Sequence, residues 1–199
     1  MFDRCISIVL GSLCGLAGLA AADLTSPDGK VHLQFRVGED GRLLQAVTSD
    51  GHARLEPSPV GLILDGNDLG AKASLGSERT RTISEIFPWR GPKTLGTNSC
   101  RVCEIPVRSG EPVQEWTLEA RVFNDGVAFR YCVPRTNGVV IDGEATTWSL
   151  PREATLWFQT NTDDYEGEYH AARADAVPLE EVVRDKKRST RIGLPMTVV

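Results

Sequence analysis

Apolar and polar side chains alternate along most of this chain. A period of two is what a half-buried strand produces, and a helix cannot sustain it. Val31, Leu33, Phe35 and Val37 alternate with His32, Gln34 and Arg36. Trp116, Leu118, Ala120 and Val122 alternate with Thr117, Glu119 and Arg121, and Val127, Phe129, Tyr131 and Val133 with Ala128, Arg130 and Cys132. Each set gives one face to a core and one to water. Shorter strand candidates are 43–48, 61–64, 102–107, 139–141, 146–150 and 156–159. Between them stand Asp28-Gly29, Asp40-Gly41, Asp50-Gly51, Asp65-Gly66, Asp125-Gly126, Asn137-Gly138 and Asp142-Gly143. Such pairs reverse a chain because Asp and Asn tolerate, and Gly freely adopts, left-handed backbone geometry. Many short strands with frequent turns predict an all-β, antiparallel β-sandwich. One short helix is expected from Leu179 to Lys187, after Pro178. The polar stretch from Gly70 to Asn98 reads as a long loop crossing between sheets.

The chain has 199 residues and a formal net charge of −5. That size can bury a sizeable core without metal or disulfide staples. No basic run is interleaved with aromatics, and Lys186, Lys187 and Arg188 are too few to line a nucleic-acid groove, so no nucleic-acid partner is expected. The N-terminus has the form of a signal peptide, residues 1–22: Arg4, an apolar run from Ile6 to Ala21, then Ala20 and Ala22 before Asp23. Nothing later is apolar enough to anchor the chain, so the expectation is a periplasmic or extracellular product without a membrane anchor. The mature segment 23–199 keeps Cys100, Cys103 and Cys132. Cys100 and Cys103 lie on opposite faces of a predicted strand and read as buried small hydrophobes. Cys132 is a candidate to bridge Cys103 across neighbouring strands in an oxidising compartment.

Most catalytic chemistry is absent. There is no phosphate-cradling Gly-rich loop, no Gly-x-Ser-x-Gly elbow, and His32, His52 and His170 have no serine or cysteine partner in pattern. One constellation stands out: Asn161, Asp163, Asp164, Tyr165, Glu166, Glu168, Tyr169 and His170. Clustered oxygen ligands suit a hard cation such as calcium, and tyrosines beside them suit the face of a pyranose. A solvated acidic loop is the plainer alternative. Trp116 and Trp157 fall on apolar strand faces and are expected in the core, while Trp89 and Trp148 stay open.

Several segments, in order, resemble glycoside hydrolase family 97. They are Ser26-Pro27-Asp28-Gly29-Lys30, Leu55-Glu56-Pro57-Ser58 with Gly61-Leu62, and Phe123-Asn124-Asp125-Gly126-Val127-Ala128-Phe129-Arg130-Tyr131. Tyr165-Glu166 with Tyr169, then Leu194-Pro195-Met196-Thr197-Val198, continue the series. The resemblance implies an N-terminal β-super-sandwich of galactose mutarotase-like type, here incomplete at its C-terminus. It further implies an exo-acting, calcium-dependent α-glucosidase or α-galactosidase whose catalytic carboxylates lie in a (β/α)₈ barrel. Glu166, with Glu168 second, is the implied calcium ligand. The implied partners are that barrel and an oligosaccharide with α-linked glucose or galactose. A barrel needs about 250 residues in eight strand–helix units, which this chain does not supply, so no catalytic residue is assigned and the chain alone is expected to be inactive. The alternative is a free-standing, non-catalytic carbohydrate-binding or envelope scaffold sandwich.

Overall fold

The computed structural model describes residues 21–134, 138–159, 168–177, 181–184, 187–190 and 193–198. Among these the chain is built from strands, with a single 3₁₀ turn at Ala174–Ala176 and no α-helix. The strands are β1 (Ala21–Thr25), β2 (Val31–Val37), β3 (Leu43–Ser49), β4 (His52–Pro59), β5 (Leu62–Leu64), β6 (Asn67–Asp68), β7 (Ser74–Leu75), β8 (Arg79–Pro88) and β9 (Leu95–Ser109). They continue with β10 (Gln114–Phe123), β11 (Val127–Cys132), β12 (Ile141–Glu144), β13 (Thr155–Gln159), β14 (His170–Arg173), β15 (Glu181–Arg184), β16 (Lys187–Thr190) and β17 (Gly193–Val198).

Two antiparallel sheets make the sandwich. One runs β1-β2-β3-β4; the other runs β11-β10-β9-β7, with β8 also on β9. Their inner faces are the apolar halves of the alternating patterns. Ala22, Leu24, Val31, Leu33, Phe35 and Leu43 meet Cys103, Ile105, Val107, Trp116, Leu118, Ala120 and Val122 in one buried cluster. Phe35 on β2 contacts Phe129 on β11 edge to face, ring centroids 5.9 Å apart, which links the sheets directly. Each such large side chain withdrawn from water contributes about 1.5–3 kcal/mol. Trp116 is buried, and its indole N–H donates to Ser109 Oγ at 2.8 Å, so its polar end is satisfied.

The turns follow local chemistry. Asp50 and Gly51 both take positive φ, 51° and 77°, and so do Asp65 and Gly66, 48° and 74°. Those are the two-residue turns that match strand twist. Gly70 is needed for a different reason: a Cβ there would lie 2.0 Å from the Val60 carbonyl oxygen. Two smaller sheets complete the fold, β12-β5-β6 and β14-β13-β17, with the hairpin β15-β16.

Several expectations of local structure fail. No loop crosses from Gly70 to Asn98; instead β8 and β9 form a ten-pair hairpin from Arg79↔Glu104 to Pro88↔Leu95. Most of β8 is exposed, so no apolar face betrayed it. Of the helix expected at Leu179–Lys187, the described residues 181–184 and 187 lie instead in β15 and β16, which pair antiparallel; the adjacent β-branched valines of that stretch favour a strand over a helix. Asp142-Gly143 is not a turn but lies inside β12, at a register irregularity between Ile141 and Gly143. Residues 146–150 form no strand, only an isolated bridge between Ser149 and Glu56. The Asn124-Asp125-Gly126 hairpin does form, closed by Phe123 N–H donating to Gly126 O at 2.8 Å.

Candidate functional site

The acidic stretch singled out in the sequence follows β13. Residues 160–167, which include Asn161, Asp163, Asp164, Tyr165 and Glu166, lie outside the described residues. Its end is described. Glu168, Tyr169 and His170 are all exposed where β14 begins, beside β13. The His170 ring tilts against Phe158, centroids 6.3 Å apart. At the other end of the stretch, Gln159 is buried and its side-chain oxygen has no hydrogen-bond partner among the described residues. Calcium takes six to eight oxygen ligands. The described residues offer the right donor chemistry in Glu168 and Gln159 but too few donors for a cage, and no three His, Cys, Asp or Glu side chains among them converge.

The strand alternation builds a second polar cluster that the sequence reading passed over. Glu119 and Arg121 are two apart on β10 and share its outer face, and Arg130 on β11 stands directly opposite Glu119. Arg121 donates through Nε and Nη2 to Glu119 Oε1, at 3.0 and 2.9 Å, and Arg130 Nη2 donates to Oε2 at 2.7 Å. The Arg130 bond, and then Arg121, hold the Glu119 carboxyl below its ordinary range, against the opposing effect of burial. Glu119 is 7% exposed although its face looks to solvent. With Phe123, Ala128 and Phe129 these groups line an open cup of about 330 Å³. Spare guanidinium N–H groups on Arg130 suit hydroxyl or anionic oxygens. The signal was legible as Glu119-x-Arg121 on the polar side of an alternating strand.

The remaining candidates carry no chemistry here. Cys100, Cys103 and Cys132 are free thiols. Cys103 lies on β9 and Cys132 on β11, with β10 between them, so the suggested bridge across neighbouring strands is not made. Burial, then the nearby Glu78 carboxylate, push the Cys103 thiol up to about 12, which leaves it a poor nucleophile. His32 Nδ1 lies 3.2 Å from Thr25 Oγ1, an ordinary cross-strand contact. Trp157 departs from expectation. Leu156 and Phe158 take the buried face of β13 and leave Trp157 47% exposed. Trp148 and Trp89 are exposed as well, Trp148 tilted against Phe129.

The family model described as "Glycosyl-hydrolase 97 N-terminal" matches residues 24–198. A probable retaining α-galactosidase of Streptomyces bingchenggensis is 31% identical over 172 residues, covering 84% of this chain and 27% of its own length. A retaining α-galactosidase of Bacteroides thetaiotaomicron is 24% identical over 170 residues, covering 82% of this chain and 24% of its own. This chain therefore spans about a quarter of the length of the curated relatives it matches. A glycoside hydrolase family 97 enzyme from Pseudoalteromonas, solved with panose, superposes with a TM-score of 0.68 at 17% identity, covering 78% of this chain and 25% of that one.

Proposed function

This chain belongs to the glycosyl-hydrolase 97 N-terminal family, and on that premise we propose that it is the sandwich portion of an exported, calcium-dependent α-glycosidase acting on α-linked galactose or glucose. The observation that carries the reading is the match over residues 24–198, joined to 31% identity with a probable retaining α-galactosidase. The sandwich would pack on a catalytic (β/α)₈ domain and complete its sugar pocket. Glu166, with Glu168 second, would lend one carboxylate to calcium. The exposed Glu168 at the head of β14 supports an acidic edge there that is open to a neighbouring domain. Export to the periplasm or exterior, with cleavage near Ala22, belongs to the same reading.

The test is a chimera. This chain replaces the matched quarter of the Streptomyces relative, and hydrolysis of p-nitrophenyl α-galactoside is compared with the truncated relative. Restored, calcium-dependent activity is expected, and Glu166→Gln should lower it about tenfold, a loss of about 1.4 kcal/mol in transition-state stabilisation. This chain alone should show none. No restoration, or hydrolysis by this chain alone, would overturn the division of labour. The open cup beside Glu119, Arg121 and Arg130 favours a second reading, a self-sufficient sugar-binding module. Titration with melibiose and maltose, with and without calcium, separates the two, since only that reading expects saturation by the isolated chain.

A further inference from the structure

Among the described residues β8 pairs with β9 alone, so its other edge presents unpaired backbone N–H and C=O groups. The edge is long and uninterrupted. Its ten pairs with β9 carry no register irregularity, and its proline, Pro88, stands at the end. Beyond Cys100, where β10 stops, five further pairs project as a two-stranded ribbon, about 17 Å at the usual rise of a strand. Ile86, Phe87, Trp89 and Leu95 are exposed on it. An isolated hairpin is marginally stable, and a long flat edge is a template for another strand.

The side chains say which strand fits. Arg79, Arg81, Ile83, Glu85 and Phe87 share one face of β8, because they alternate along it. Two copies of β8 laid antiparallel about an axis through Ile83 bring Arg81 opposite Glu85 of the other copy, twice. The same register puts Ile83 against itself and Arg79 across from Phe87. On the other face Thr80 meets Ile86 and Thr82 meets Ser84. Both ion pairs and the apolar centre come from one sequence read in opposite directions, as a two-fold interface requires. In this register Arg81 meets a carboxylate and Arg79 an aromatic ring, where a strand with basic residues at those places would be repelled.

We propose that β8 is a self-association edge, which joins two copies of this chain into one continuous antiparallel sheet with Arg81–Glu85 pairs across the two-fold. Sedimentation equilibrium of the purified chain up to about 100 µM tests it, with wild type expected as a dimer that weakens in high salt. Arg81→Glu and Glu85→Arg should each weaken dimerisation about tenfold by placing like charges opposite. The double variant R81E/E85R should return to within about threefold of wild type, because the pairs re-form with signs exchanged. Each variant's far-ultraviolet circular dichroism checks that the exposed substitutions leave the sheet intact. A monomeric wild type would overturn the proposal, as would a dimer indifferent to the single variants. Single variants that dissociate without rescue in the double would overturn the register.

Discussion

Glu119 shows how a single residue can be placed by the strand period and yet be misread. Alternation assigns it to the wet face of β10, and it is there, but two guanidinium groups cover it until only 7% is exposed. Its partner across the ladder, Arg130, depends on the register of β10 with β11, which no local pattern displays. The carboxyl is held below its unfolded value, so its stabilising contribution is fully present above the unfolded value of about 4.3 and is lost as pH falls through the lower folded one. Glu119→Gln removes that titration. Thermal melts across acid pH should therefore show a shallower loss of stability in the variant than in wild type. Parallel curves would mean the cluster contributes nothing to the pH response.

At the scale of elements, the strands with the longest apolar alternation were legible and β8, which has no buried side, was not. β2, β10 and β11 follow their apolar alternation closely, because one side of each packs on the core. β8 has no buried side, so its Thr-rich, Arg-rich stretch resembled a loop; its extended state comes from hydrogen bonds to β9. The two kinds of strand should respond differently to truncation. Leu118→Ala, at a fully buried position in β10, should cost about 2–5 kcal/mol in urea denaturation, from lost transfer energy and a cavity between the sheets. Ile86→Ala, at a position 70% exposed, should stay within about 0.5 kcal/mol in the monomer. Equal effects would contradict this division between core and ribbon.

For the whole molecule, the decisive feature is that the large buried cluster joins the β1-β2-β3-β4 and β11-β10-β9-β7 sheets but leaves out Leu156 and Phe158. Those two are buried in the separate β14-β13-β17 sheet. Phe158→Ala should therefore abolish amide exchange protection in β13 while β2 and β10 keep theirs, as local stability would dictate. Loss of protection throughout would show one cooperative unit instead. The sequence alone determined the all-β class, the in–out order of the core strands and most turns, because side-chain period and left-handed turn residues act within a few positions. Tertiary structure alone decided the ion cluster over Glu119, the ribbon of β8 and β9, the separation of Cys103 from Cys132 and the exposure of Trp157. Each depends on which distant strand lies alongside, and that is settled by hydrogen-bond register and packing across the sheets.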